Sequence, residues 1–577
     1  MSPMESINEA YLQLLASDPN TCVALGFGSN LNNLPDPSLE EVARIRQAAV
    51  KLQQDATELA GTLSDFHEQL DMRLIALSAG QHTLRSSLRF NDRLQVQQLP
   101  KAGEEISSGI FYLITNDPRP AAQRLENILA RLQQIPSYLE KMLSRLDTPV
   151  ARWVKVDLET IAGLPDFFET ILQWAEEEGF SHKDQLGAAI DNANSAMADY
   201  AETLSRLPTT HSFAVGHEQA QALVSSNGID LTLAQIHQIA CDFVTRTRQQ
   251  IEELRETLVA KHALAGTTTA SELQTFLERQ HAVQVTDGKL EHVIERYQSI
   301  AKELEIFVKE RSLFPIPDQQ TMKIMQTPAF MAPMIPAGAM MPPPAMRDGV
   351  RTSMVYLTLS PELLKEHTEL GIPLMMVHEG IPGHHLQLST AAMHPSVIRR
   401  TFSANEHAEG WTTMLEDYML DQNLMGDLTD EARFVTKLDL SRIGARVAID
   451  LYFMTGDLSY LNIGYELEFN HEDPFANAAK LLIAATGFSA GRAQAELNWY
   501  SQERAYPLSY LVGNHLVWQL KEDFQRATAE TMTPDEQDRS FHRIYLESGN
   551  MPVAYLRKVF EYELQRSLLS TPTLLPS

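Results

Sequence analysis

From about residue 38 to residue 310 apolar side chains recur at spacings of three and four. Val42, Ile45, Ala49, Leu52, Ala56 and Leu59 fall on one side of a helix, with mainly polar residues between them. Similar stripes run from Ile128 to Leu146 and from Ile236 to Leu258, and Gly and Pro fall mostly between the stripes. The pattern predicts helices packed on helices, with no repeat of fixed period. At Phe314 the texture changes: FPIPDQQTMKIMQTPAFMAPMIPAGAMMPPPAMRDG holds eight prolines and seven methionines and cannot be one continuous helix. Its methionines read as adaptable apolar packing rather than a soft-metal site. Thr321 to Thr327 and Ser353 to Leu359 are the strand candidates, the second rich in β-branched and aromatic residues. From Ser360 onward helices return, one starting near Pro373, which suits a first turn, and another covering about Ala404 to Leu420. The expected fold class is all-α, mainly helical, with a small β-sheet. An N-terminal helical lobe covers 1–310, and 311–577 carries the Pro/Met-rich connection, the short strands and the chemistry.

Composition narrows the partners. Hydrophobic residues make up 44% of the 577, with 27 glycines and 29 prolines, so most of the chain is expected to fold around buried cores. Acidic residues outnumber basic ones by 75 to 47, a net charge of -28, which repels phosphate backbones and anionic lipid. Neither nucleic acid nor a membrane surface is an expected partner. Cys22 and Cys241 make neither a disulfide framework nor a thiolate metal site. The first residues show no basic and then apolar leader pattern, and no stretch reaches the roughly 20 apolar residues that span a bilayer. These features together predict a cytoplasmic protein.

The informative segment is MMVHEGIPGHHLQ, where His378, Glu379, His384 and His385 crowd around a Pro-Gly pair. Neutral imidazoles suit zinc, and a Glu beside a liganding His can serve as base to a water held there. Histidines four apart would share a helix face, but position 382 is proline. In an ideal helix His384 would lie about 240° around and about 9 Å along from His378, and His385 nearly in line but about 10.5 Å away. Neither could share an ion with His378 in a straight helix. Pro382 removes a helical hydrogen bond and Gly383 relaxes the backbone, so a bulge could bring a second histidine back. A third ligand is sought in the next helix, where NEHAEGW is followed by Glu416 and Asp417. Spacing alone leaves Glu406 and Glu409 equal.

The chain resembles a bacterial family catalogued as a domain of unknown function, whose hallmark is H-E-x-x-P-G-H-H followed by E-G-W. The matching residues are HEGIPGHH at 378–385 and AEGW at 408–411, with weaker pieces at 18–27, 446–450, 508–513 and 547–557. The resemblance implies a helical, gluzincin-like architecture similar to neurolysin and related oligopeptidases, with a channel between lobes. By that analogy His378, His384 and Glu409 hold one zinc ion and Glu379 is the general base. Tyr510 stabilises the oxyanion, and His385 orients a ligand or the base. The implied substrate is a short peptide, and the placement of the strand from Ser353 to Leu359 just upstream of the motif leads to the expectation that it binds peptide backbone by edge pairing. Alternatives are a zinc hydrolase of another amide or ester, or a non-catalytic helical binding protein that keeps its metal. The chain departs from the pattern at Trp499, Tyr500 and Arg504 to Tyr506, where relatives read Arg-Tyr and then Pro-Gly-Gln. It departs again at Met454, where they have histidine.

Overall fold

The computed structural model describes residues 2–285, 289–327, 338–360, 364 and 367–570. The first half is helical, as its periodicity predicts: α1 (Pro3–Leu15), α2 (Pro19–Leu25), α3 (Leu39–Ala60), α4 (Phe66–Ser87), α5 (Ala102–Thr115), α6 (Ala121–Arg145), α7 (Ala151–Glu177), α8 (Lys183–Ser205), α9 (His217–Ser226), α10 (Leu233–Lys261), α11 (Ala270–Gln280) and α12 (Glu291–Arg311). A short hairpin, β1 (Arg89–Phe90) with β2 (Arg93–Leu94), follows α4. Many of these helices start on side-chain caps. Ser38, Asp65, Thr232 and Thr269 each accept a hydrogen bond from a backbone N–H of the first turn.

The Pro/Met-rich connection contributes a three-stranded sheet of β3 (Gln320–Gln326), β4 (Gly338–Met341) and β5 (Arg351–Leu357), in the order β3-β5-β4. β3 runs parallel to β5 and β4 antiparallel to it. Two of these strands answer the expected ones, each starting one or two residues earlier. β4 was not foreseen, because Gly-Ala-Met-Met has no β-branched residue to mark it. The role given to Ser353–Leu359 needs correction: β5 is the middle strand, paired on both sides, and offers no edge. Met322 and Met340 pack against the largest core, while Met341 and Met354 pack beside Phe111 and Tyr356. These methionines are packing, as expected. Residues 328–337 of the segment lie outside the described residues.

Helices resume with α13 (Gly371–Glu379), α14 (His384–Ala391), α15 (Val397–Thr401), α16 (Asn405–Asp421), α17 (Thr429–Thr455), α18 (Pro474–Thr486), α19 (Ala490–Gln502), α20 (Ser509–Thr528), α21 (Pro534–Glu547) and α22 (Val553–Ser570). The protein is thus mainly helical with a small sheet. Among the described residues, four of the buried clusters run across residue 310, two of them large. One joins α1, α3, α4 and α12 to α13–α16 and α20–α22, and another joins Trp153 and Phe213 to α17–α20. A fifth, around α2 and α5–α8, belongs wholly to the first half. Among the described residues no helix is long and apolar enough to cross a membrane.

Candidate metal centre

α13 ends at Glu379, and the chain re-enters helix at His384. A Cβ on Gly383 would lie 1.9 Å from the carbonyl oxygen of His378 and 2.2 Å from that of Val377, so only glycine lets α14 press this close to the end of α13. Its φ is -77°, so the constraint is space rather than a left-handed backbone. The intervening turn is pinned from the next helix, where Trp411 Nε1 donates to the Pro382 carbonyl at 2.9 Å. The break thereby turns two histidines six residues apart toward each other, with ring centroids 4.9 Å apart.

Glu409 meets them from α16. Its Oε2 lies 3.4 Å from His384 Nε2 and 3.7 Å from His378 Nε2. The ligand atoms of the three residues all fall within 4.8 Å of one another. α16 can carry Glu409 this deep because it crosses α20 at two glycines. A Cβ on Gly410 would stand 2.4 Å from the backbone of Gly513, and one on Gly513 would stand 2.1 Å from the carbonyl oxygen of Glu406. Trp411, fully buried, stacks on Tyr545 at 4.5 Å. Each letter of the E-G-W segment therefore has its own physical duty: a carboxylate facing the two histidines, a close crossing and a clamp on the Pro-Gly turn.

Opposite charges meet at this cluster. Burial alone would raise the Glu409 pKa. The charges of His384 and His378 overcome it and hold the carboxyl at about 2. Burial likewise lowers His378, but its bond to Glu416 and the charges of Glu379, Glu416 and Glu409 lift it to about 9. Glu409 Oε2 and His384 Nδ1 are nonetheless buried without a hydrogen-bond partner. A carboxylate oxygen left bare against two imidazole nitrogens fits a divalent ion, and two nitrogens with one oxygen suit zinc, leaving further positions open. The His378 and His384 side chains keep 19% and 12% of their exposure, so the centre is reachable from outside.

The surrounding groups sort themselves by contact. Glu416 accepts from His378 Nδ1 at 2.8 Å, which fixes the tautomer and leaves Nε2 facing Glu409. The sequence offered Glu416 only as one more acidic residue of that helix. Tyr506 donates to Glu409 Oε1 at 3.1 Å, and the Tyr510 ring packs edge-on against Tyr506, with centroids 6.0 Å apart, and lies beside Glu409. Tyr506 was visible only as part of a departure from the family pattern. Its place is set by Asp450, which accepts from the backbone of Ala505 and Leu508 at 3.2 and 3.1 Å and so shapes the turn ahead of α20. Arg446 lies 4.4 Å beneath the Tyr510 ring, and Trp499 packs edge-on to Tyr506. Glu379, half-buried, is the last residue of α13, next to His378.

Three residues singled out in the sequence lie away from the cluster. His385 turns away from the cluster: its ring bonds to Ser353 of β5 at 2.7 Å and to Gln320 of β3, and burial pushes its pKa down to about 4. It ties α14 to the sheet and orients neither ligand nor base. Glu406, equal to Glu409 by spacing, is buried elsewhere, accepting from Val553 N at 3.0 Å. Met454 sits wholly buried in a hydrophobic core, and its carbonyl receives the N–H groups of Val215 and Gly216.

Residues 19–559 match the family described as "Bacterial protein of unknown function (DUF885)". The chain belongs to this family. A search of curated proteins gave no match. Two solved structures share the DUF885 chain's fold. One is "a putative lipoprotein of unknown function" from Shewanella oneidensis, 16% identical with a TM-score of 0.75, covering 97% of this chain and 100% of its own. The other is "the putative lipoprotein" from Colwellia psychrerythraea, 15% identical with a TM-score of 0.77, covering 98% of this chain and 100% of its own. Both are described as lipoproteins, which overturns the cytoplasmic placement. That expectation leaned on scarce cysteines, and Cys22 and Cys241 are both free thiols, a state that fixes no compartment.

Proposed function

We propose that this DUF885 protein is a zinc-dependent metallopeptidase of gluzincin type, acting on short peptides in a channel between its lobes. The observation that carries the reading is the bare, buried Glu409 Oε2 facing His378 Nε2 and His384 Nε2, with Glu379 and Tyr510 close at hand.

A bound zinc ion supplies Lewis-acid activation of a water molecule and of the scissile carbonyl. His378, His384 and Glu409 hold it, and Glu416 keeps His378 in the tautomer that presents Nε2. Glu379 takes the proton of the attacking water and hands it to the leaving amine. Tyr510, a neutral phenol whose pKa burial pushes further up, donates its hydroxyl to the carbonyl oxygen as that oxygen gains negative charge. Tyr506 holds the second oxygen of Glu409, so that Oε2 remains turned to the histidines. β4 is paired on one side only among the described residues and is the strand that supports backbone pairing with an extended substrate. The description of the fold relatives as lipoproteins supports a place of action outside the cytoplasm.

The test is elemental mass spectrometry joined to a peptide-cleavage assay. The unaltered protein is expected to hold about one zinc per chain and to cleave short peptides. Glu379→Gln should retain the zinc and lose about 10²–10⁴-fold in rate. Full activity in Glu379→Gln, or no metal after exposure to zinc, would overturn the reading.

A further inference from the structure

A cavity of about 620 Å³ lies between the two halves of the chain, walled on one side by α3, α4 and the turn after α9. On the other side it is walled by the N-terminal ends of α16 and α20. Tyr506 is shared: its ring lines this cavity and its hydroxyl sits on the metal-site carboxylate, Glu409 Oε1. The cavity therefore begins one side chain away from the centre.

Its charges are unbalanced in a specific way. Of the two carboxylates in the wall, Glu503 is paired with Lys101 at 3.1 Å, and Glu406 is buried and accepts from the Val553 backbone. His82, exposed on the same face, has its pKa lowered from the ordinary imidazole value by partial desolvation and by the charge of Arg85. Arg85, exposed at the end of α4, makes no ion pair or hydrogen bond among the described residues, although its charge reaches Glu503 in the same wall. An ammonium group entering here would find both carboxylates engaged. A carboxylate would find a free guanidinium, whose planar fork matches it with two hydrogen bonds.

We propose that this cavity receives the far end of the peptide and that Arg85 binds a carboxylate there, making it a specificity residue for substrates with a free C-terminus. The inference rests on the peptidase reading. A substrate whose scissile bond lies at the His378, His384 and Glu409 cluster would run past Tyr506, and its carboxy-terminal end would stop against the wall formed by α3 and α4. The same guanidinium would also accept an acidic side chain near that end, so the two sources of the carboxylate are separated by experiment.

The experiment is calorimetric titration of zinc-loaded Glu379→Gln protein, which binds without turnover. The probes are tetra-alanine as free acid, tetra-alanine amide, and Ala-Ala-Ala-Glu amide. The free acid is expected to bind about tenfold more tightly than its amide. Adding Arg85→Gln should bring that ratio to about one, and Arg85→Lys, which keeps the charge but not the fork, should leave an intermediate value. Because Arg85 is exposed and unpaired, neither change threatens folding. Glu-amide binding that equals the free acid and depends on Arg85 supports the carboxylate site with a side-chain source; binding like the plain amide supports the C-terminus. Equal binding of acid and amide, a ratio that survives Arg85→Gln, or no binding of any probe overturns the inference. The peptidase reading fails separately, if protein with Glu379 intact binds the acid through Arg85 and does not cleave it.

Discussion

Two buried carboxylates, Asp157 in the first-half bundle and Glu409 in the second half, show what separates a structural polar group from a binding one. Asp157 accepts from Gly103 N at 2.8 Å and from Tyr200 Oη at 2.6 Å, and its companion Glu105 takes the hydroxyl of Tyr138. Burial dominates there, and the Asp157 pKa rises to about 6 despite those hydrogen bonds. Glu409 is equally enclosed, yet imidazole charges pull its carboxyl down to about 2, and one of its oxygens has no hydrogen bond. Folding satisfied the first carboxylate and left the second open. A buried polar atom without a partner raises the free energy of the fold, and on the metallopeptidase reading proposed above zinc would complete this one.

The comparison breaks most sharply on metal content. Glu409→Ala should abolish zinc retention and peptide cleavage, whereas Asp157→Asn should leave one zinc per chain; elemental analysis of the two variants side by side decides. Gly383→Ala comes next. The added methyl collides with two carbonyls of α13, so we expect about 1–3 kcal/mol of destabilisation in denaturant titration, and loss of zinc as His384 is displaced. The pH response of Asp157 should be of similar size. Its folded pKa of about 6 exceeds the ordinary 3.8, so the folded state holds the proton more tightly. Its contribution to stability is most favourable below about pH 4 and falls by about 3 kcal/mol as the pH rises to about 6. Asp157→Asn should remove this slope from the difference between the two stability profiles, and an unchanged slope would show that Asp157 titrates normally. Tyr506→Phe should keep the zinc but weaken its hold by about 10–100-fold in competition with a chelator, because Glu409 loses the partner that orients it. The smallest effect expected is that of Tyr200→Phe, about 1–2 kcal/mol of stability with no change in zinc affinity.

The helices of the first half were legible because each stripe of Val, Ile, Leu and Ala at spacings of three and four describes its own secondary structure, and the Pro/Met-rich segment marked where that order ends. The resemblance carried by HEGIPGHH and AEGW named His378, His384 and Glu409 and pointed to Tyr510, and all four side chains do gather at one place. Other parts were hidden for physical reasons. Whether His385 faces metal or sheet depends on the angle at which α14 leaves a turn with no helical period. Glu416 and Glu406 differ in nothing local; one meets His378 and the other meets Val553 only because α13 and α22 pack where they do. Tyr506 and Arg85 come from segments more than 400 residues apart and share a cavity wall only in the folded chain.

The sequence by itself determined the mainly helical character, the change of texture near Phe314 and the crowding of His378, Glu379, His384 and His385 around a Pro-Gly break. These follow from local periodicity, backbone restrictions and side-chain chemistry. Tertiary structure alone decided that a break between α13 and α14 folds one histidine back upon another, and that two glycines let α16 bring Glu409 between them. It also decided that Arg85 and Tyr506 line one cavity wall. Distances between segments far apart in the chain are set by packing, and packing is a property of the whole fold.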